Sequence, residues 1–226
     1  QLVSDMGGQL GRGVKDLKIG VIRHFYTKDL IADPETTAAI EAAIKVLEGL
    51  GAEIREIETR PLAQYAACNR VILLSEACAI HEKWITERTE DYGALLLGRL
   101  LPGMAYSGVD YVQATRTRAR YAAEFNEHFN SLDAVVTVNN MEPAFLIEDF
   151  EAGEKHYPRQ ARTPFNVTGN PAVAVPTGFN SSGLPLSMQI VTGQFDEAMG
   201  YRIAAAYEAE TGWTAKHPDL DVTAAV

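Results

Sequence analysis

The chain has 226 residues, of which 46% are hydrophobic and 22% are charged. This composition is typical of globular proteins and excludes a disordered or fibrous chain, so a packed core is expected. The formal net charge of −10 repels a phosphate backbone, and the one basic cluster is Arg116, Arg118 and Arg120, so no nucleic-acid partner is expected. No apolar run reaches the roughly 18 residues that a membrane span needs, so no membrane partner is expected either.

The beginning of the chain differs from the rest. It starts at Gln1 without a methionine or a secretion signal, and its first residues are polar and glycine-rich. We therefore predict that residues 1–14 are a flexible tether and that the chain is an excerpt of a longer protein. Cys68 and Cys78 lie in one helix-like segment, too far apart for a disulfide, which predicts reduced core residues and a cytoplasmic location.

A strand, a helix and a second strand are predicted first. Residues 17–22 form a short apolar run of strand length. Residues 33–35 then supply an aspartate N-cap, a proline at the first helical position and a first-turn acid. Residues 52–57 return to a strand pattern after Gly51, which suits a left-handed helix cap. The two strands are expected to be parallel, joined by a right-handed crossover.

Two helices and a buried strand are predicted in the middle of the chain. Residues 61–92 are rich in alanine, leucine and glutamate and, after Pro61, contain no glycine or proline, which predicts one long helix. Residues 110–130 fit a second helix, and residues 98–108, with a proline and glycines, predict a loop between the two. Residues 132–138 have the pattern of a buried strand.

A hairpin and a closing helix are predicted last. Residues 172–179 and 185–191 have strand patterns, and residues 180–183 form the turn between them. Asp196 is the predicted N-cap of a helix that runs to Thr211. The fold class predicted from these elements is α/β, with a mixed, mostly parallel sheet and helices on both faces.

Motifs that carry chemistry are scarce. The sequence contains no G-x-S-x-G elbow, Walker loop, H-E-x-x-H or G-x-G-x-x-G motif. The five histidines show no metal-ligand spacing, so no metal is predicted. His81 and His128 lie in predicted helices and are bases only if a serine or cysteine lies beside them, so a structural role is favoured. Ser181 and Ser182 lie where the hairpin needs turn residues, which favours a turn over a nucleophile.

Arg118 is the candidate binding residue. Arg116, Arg120 and Glu124 recur every four residues, which predicts an exposed helix face with an ion pair. Arg118 falls on a different side, from which a guanidinium can reach a carboxylate or carbonyl in a cleft. The alternative to this binding role is that Arg118 forms an ordinary salt bridge at the surface or between two elements.

Two neighbouring stretches resemble the late block of the amidase-signature family. They are TPFNVTGNPAVAVPTGF at residues 163–179 and GLPLSMQIV at residues 183–191. The likeness runs in the expected order from Lys15 to Pro218. The resemblance implies that residues 15–226 are the carboxyl-terminal portion of a single amidase-signature domain.

The resemblance also implies an activity. The family hydrolyses carboxamides through a serine nucleophile, helped by a second serine and a lysine, without a metal or organic cofactor. These three residues belong to an earlier glycine- and serine-rich region that no segment here matches, so no catalytic residue is assigned. Arg118 falls on a family arginine near the substrate. The expected partners are a small amide substrate and the chain's own amino-terminal half, with a homo-oligomer left open, and the chain alone is predicted to be inactive.

Two departures from the family pattern bear on the substrate. Where the family usually has a proline and a threonine, residues 137–140 read Thr-Val-Asn-Asn, which predicts a reshaped loop near the pocket. In amidotransferase subunits that act on misacylated tRNA, an acidic residue tends to precede the Pro-Phe-Asn-like stretch, but residues 159–162 read Arg-Gln-Ala-Arg. A free-standing amidase fits better. The alternative from another class is a non-enzymatic α/β module that binds a small acid or a partner protein.

Overall fold

The computed structural model describes residues 5–218, so the first four residues of the predicted tether and residues 219–226 lie outside the described part. Its centre is one five-stranded sheet in the order β2-β1-β3-β5-β4. Strand β1 pairs in parallel with β2 and β3, whereas β5 is antiparallel to β3 and β4, so four strands share one direction. The predicted α/β class with a mixed, mostly parallel sheet is confirmed. The strands are β1 Lys18–Val21, β2 Glu53–Glu56, β3 Ala134–Val138, β4 Ala172–Phe179 and β5 Pro185–Val191.

Seven α-helices are described among residues 5–218: α1 Pro34–Gly49, α2 Leu62–Glu87, α3 Ala94–Leu100, α4 Gly108–Asn126, α5 Phe150–His156, α6 Thr163–Thr168 and α7 Glu197–Thr211. Helices α1 and α7 pack against β4, β5 and each other, while α2, α4 and α6 pack on one another as a second group. Val173 of β4 faces Gly200 of α7. Because side chains alternate along a strand, Ala172 and Ala174 face the other side, where α6 lies. Helices therefore flank both faces of the sheet, as predicted.

The first predicted unit is confirmed in detail. The Asp33 side chain accepts a 2.8 Å hydrogen bond from the Glu35 amide and so caps α1. The side chains that this helix buries include Ile40, Ile44 and Leu47. Gly51, with a φ of 96°, reverses the chain after the helix, and β2 then pairs in parallel with β1.

The predicted hairpin is also confirmed. The Asn180 Oδ1 accepts hydrogen bonds from the amides of Ser182 at 3.1 Å and Leu184 at 2.7 Å, and Gly183 has a φ of 80°. Strand β4 is an edge strand, which is why Pro176 is tolerated within it.

The region between α2 and α4 corrects two predictions. Helix α2 ends at Glu87 rather than near residue 92, and most of the predicted loop at residues 98–108 is helical, as α3 followed by a 3-10 turn at Leu101–Ala105. The cause is packing against α2: the Cys78 thiol donates a 2.9 Å hydrogen bond to the Leu100 carbonyl, and Gly103 is buried against α2. A helix of seven residues gains most of its stability from such packing. Gly98 therefore does not prevent α3 from forming.

A matched pair of glycine substitutions tests this packing. A Cβ atom at Gly103 would lie 2.2 Å from the Leu74 carbonyl oxygen, so Gly103→Ala is expected to lower the free energy of unfolding by about 1–3 kcal/mol. Gly98 in α3 has open space around its Cα, and Gly98→Ala is expected to raise the free energy of unfolding by about 0.5–1 kcal/mol. Urea denaturation distinguishes the two, and equal effects would contradict the packing argument.

Candidate functional site

Arg118 lies on α4 beside α6. Its Nε donates a 3.1 Å hydrogen bond to the Val167 carbonyl oxygen, and the residue is exposed. Among residues 5–218 its other guanidinium nitrogens have no hydrogen-bond or ion-pair partner, so one bond orients the group while four N–H donors remain free. Arg120 points elsewhere, at 4.0 Å from Glu124, which agrees with the predicted separation of the two arginines.

A depression of about 320 Å³ lies beside the same short helix α6. Its walls come from the loop after β3, from α6 and the residues flanking it, and from the exposed face of β4 and β5. The residues that line it are Asn139, Arg162, Phe165, Asn166, Asn170, Ala172, Ala174 and Gln189. A depression of this size is at the small end of the volumes that proteins use for small ligands.

Two buried amide side chains fix the shape of this depression. Gln189 is 4% exposed, and its Nε2 donates to the carbonyl oxygens of Val138 at 2.9 Å and Ala161 at 2.8 Å. These bonds tie β5 to the last residue of β3 and to the segment before α6. Because both partners are acceptors, the Gln189 NH2 group must face them, and the amide is held in one orientation. The second amide, that of Asn170, is anchored by two bonds of its own.

Sequence reasoning did not separate the roles of the arginines before α6. Arg159 forms an ion pair with Glu142 and donates a 2.6 Å hydrogen bond to the Ile31 carbonyl, so it holds the loop after β3. Arg162 is half-buried and lines the depression instead. The signal in the sequence was a basic residue directly before the Thr-Pro-Phe-Asn stretch, but only the fold shows which of the two arginines lines the depression.

The serine hydroxyls in the described part of the chain have partners other than histidine or lysine side chains, or none. None of the serine hydroxyls among residues 5–218 is hydrogen-bonded to a histidine or lysine side chain. The Ser181 hydroxyl lies 3.3 Å from a Glu35 carboxylate oxygen in the hairpin turn, so the interpretation as a turn is confirmed. Ser75, which sequence reasoning passed over, has a buried Oγ without a partner and lines a cavity of about 410 Å³ between α2 and α4.

The other candidate nucleophiles and bases have structural partners. The thiols of Cys68 and Cys78 are free and buried, as predicted; the Cys68 thiol donates to the Ala114 carbonyl at 3.4 Å, and burial raises its pKa. His81 Nδ1 lies 2.8 Å from the Tyr92 hydroxyl. Burial lowers the pKa of His128, which packs against Phe125. In the described range, no three His, Cys, Asp or Glu side chains form a group that could hold a metal ion.

Large apolar side chains are exposed on neighbouring helices. Ion pairing of Arg99 with Glu154 at 3.7 Å places α3 next to α5. The exposed apolar residues of α2, α3, the 3-10 turn and the start of α4 are Leu73, Ile80, Trp84, Leu95, Leu96, Leu101, Met104, Val109 and Val112, and those near α5 are Phe145, Leu146, Ile147, Phe150 and Tyr157. Exposed apolar clusters are typical of surfaces that bind other polypeptide segments. No helix within residues 5–218 has the length and hydropathy of a membrane span.

Comparison with known proteins points to one family. Residues 4–200 match the sequence model of the Amidase family. The chain is 30% identical over 234 residues to the glutamyl-tRNA(Gln) amidotransferase subunit of Myxococcus xanthus, covering 92% of the chain and 48% of that protein. It is 32% identical over 220 residues to an amidase of Pseudomonas putida, covering 93% and 46% respectively. The chain thus spans about half the length of these curated relatives.

Solved structures agree on the fold. A bacterial aryl acylamidase of the amidase-signature family superimposes with a TM-score of 0.78 at 18% identity, over 95% of this chain and 48% of that one. The corresponding glutamyl-tRNA(Gln) amidotransferase subunit of Thermotoga maritima gives a TM-score of 0.70 at 24% identity, over 92% and 45%. At these identities the likeness shows the fold.

Proposed function

The chain belongs to the amidase family, and on that premise we propose that it is the carboxyl-terminal part of a hydrolase that cleaves carboxamide C–N bonds. In this proposal residues 15–226 are one portion of a single amidase-signature domain, preceded by a tether at residues 1–14 that ends at Val14, which is buried in the core. The nucleophilic serine, the second serine and the lysine come from an amino-terminal half, and no cofactor takes part.

One observation carries the proposal. The family match covers nearly the whole chain, yet the chain spans about half of its relatives, and no serine hydroxyl among residues 5–218 is hydrogen-bonded to a histidine or lysine side chain. A serine is a weak nucleophile unless a neighbouring base takes its proton. The scaffold and the reactive group are therefore proposed to lie in different halves of one enzyme.

The amino-terminal half is also the proposed partner of the exposed apolar residues. Those residues lie on adjacent helices and would remain in contact with water if the chain acted alone. A second copy of the chain is the other candidate for that surface. The cytoplasmic location inferred from the two thiols stays a prediction.

A free-standing amidase is favoured over a component of an amidotransferase. Arg159 stands in the neighbourhood where the amidotransferase pattern has an acid, and its pairing with Glu142 leaves no free carboxylate there to hold an ammonium group. Arg118 is proposed to bind the substrate, because its guanidinium is oriented by Val167 and keeps unused donors.

A non-enzymatic binder of a small acid is the second candidate, favoured by the arginine that lines the depression. Labelling of the complete protein with a fluorophosphonate separates the two functions. For the hydrolase, the covalent adduct is expected on a serine outside the 226 residues, and labelling abolishes amide hydrolysis. An adduct on a serine of this chain contradicts the proposed division, and tight carboxylate binding without labelling or hydrolysis favours the binder.

The role of Arg118 is tested by charge removal. Arg118→Gln in the complete enzyme is expected to lower kcat/KM for its amide substrate roughly 10- to 100-fold, the usual effect of losing a hydrogen bond to a charged group. Steady-state kinetics measure the effect. Arg116→Gln, two residues earlier on α4 and exposed, is the matched control and should change kcat/KM by less than about twofold. Equal effects from both variants would contradict a role in binding.

A further inference from the structure

We propose that the depression lined by Arg162 and Asn170 binds a carboxylate group of the substrate, so that the enzyme acts on amides with a second, acidic end. This inference rests on the proposed amide hydrolysis and adds to it the class of substrate. The residue concerned is Arg162, which lies directly before α6, rather than Arg118, which lies on α4.

The guanidinium of Arg162 has no acceptor, whereas its half-buried counterparts have one. Among the half-buried arginines of the described chain, Arg23, Arg55, Arg60 and Arg159 pair with Glu41, Glu53, Glu124 and Glu142, and Arg202 donates to the Gly13 carbonyl oxygen. Arg162 is half-buried too, yet within residues 5–218 its side chain has no hydrogen-bond or ion-pair partner. This is unexpected in a chain with 30 acidic and 20 basic residues. A partly buried guanidinium is stabilised by an acceptor, and a carboxylate is the group that matches its paired donors.

Asn170, which also lines the depression, carries a second unpaired group. It is 8% exposed, and its Nδ2 donates to Asn126 Oδ1 at 3.0 Å and to the Thr192 carbonyl at 2.8 Å. The Asn126 amide is itself oriented by a bond from its Nδ2 to the Ala122 carbonyl at 2.8 Å. Rotating the Asn170 amide by a half-turn would place an oxygen against two acceptors, so its orientation is fixed. Its Oδ1 is left buried without a donor.

These two groups together describe a ligand. The guanidinium of Arg162 requires an anionic acceptor, and Asn170 Oδ1 requires an N–H or O–H donor. An amide substrate with a carboxylate supplies both, because its carboxamide carries N–H donors. Ala172 and Ala174 have small side chains and so leave space in the depression between Arg162 and Asn170. The volume of the depression, about 320 Å³, suits a short chain of carbon atoms.

The test uses the complete protein and three amides of similar length. They are succinamate with a carboxylate end, butyramide with a methyl end and 3-aminopropanamide with an ammonium end. We expect the highest kcat/KM for succinamate. Arg162→Gln should lower that value roughly 10- to 100-fold, mainly through KM, while butyramide is hydrolysed as before. Arg162→Lys should keep part of the preference because it keeps the charge. Arg70→Gln, an exposed arginine of α2, is the control and should change nothing.

Binding of succinate, measured by calorimetry, gives a readout that does not need turnover. Wild-type protein should bind succinate at least tenfold more tightly than the Arg162→Gln variant. Equal kcat/KM for succinamate and butyramide, or an equal loss for all three amides in Arg162→Gln, overturns the carboxylate subsite while leaving amide hydrolysis intact. Succinate binding that depends on Arg162 in a protein that hydrolyses no amide supports the subsite and overturns the proposed hydrolysis. Absence of succinate binding overturns the subsite.

Discussion

The 226-residue chain purified alone is expected to hydrolyse no amide at a measurable rate. None of the described serine hydroxyls is hydrogen-bonded to a histidine or lysine side chain, and burial raises the pKa of the Cys68 thiol, which disfavours its reactive thiolate form. Loss of an activated serine nucleophile lowers kcat by about 10⁶ in serine hydrolases. Release of p-nitroaniline from p-nitroacetanilide measures the rate, with the complete protein as the positive control.

Two variants make this result decisive if some activity does appear. Ser75 has a buried, unpartnered Oγ, and Ser181 lies beside a carboxylate. The Ser107 hydroxyl also donates to a carboxylate, that of Asp110 at 2.6 Å, but this pair caps α4, so Ser75 and Ser181 are the residues to substitute. Activity that survives both Ser75→Ala and Ser181→Ala points to a contaminating amidase. Activity that either substitution abolishes would contradict the proposal that the reactive serine lies in the other half.

The elements that sequence predicted correctly are those with strong local signals. Asp33 caps its helix, Gly51 reverses the chain after it, and Asn180 organises the hairpin, each through contacts within a few residues. Such signals depend on the geometry of one turn and are visible in the sequence. The strand β3 was predictable because all five of its residues are buried and apolar or small.

The predictions that failed concern segments whose structure depends on distant packing. Gly98 and Pro102 locally favour a loop, but α3 and its 3-10 turn form because they pack on α2. The short helix α6 has no N-cap hydrogen bond and is held by its buried residues Phe165 and Val167. Propensity is a weak guide where tertiary contacts supply most of the stability.

The candidate site was predictable to a smaller extent than the fold. Helical spacing separated Arg118 from Arg120, but its partner Val167 lies 49 residues away in sequence. Arg159 and Arg162 are similar in sequence context, and their different roles follow from the loop after β3, where Glu142 pairs with Arg159 and not with Arg162. The unpaired oxygen of Asn170 depends on three segments meeting, so no local pattern indicates it.

The core between α4 and α6 supports Arg118 and Arg162. Its disruption is expected to lower the stability more than any other substitution proposed above. Phe125 is 1% exposed, and its ring centroid lies 5.6 Å from that of Phe165 and 5.8 Å from that of Phe129. Phe125→Ala leaves a cavity between the two helices and should lower the free energy of unfolding by about 3–5 kcal/mol. Phe195→Ala removes a ring that is 79% exposed and should change the free energy of unfolding by less than about 0.5 kcal/mol. Urea unfolding followed by tryptophan fluorescence measures both, and a loss below about 1 kcal/mol for Phe125→Ala would show that α6 is held by contacts other than this aromatic cluster.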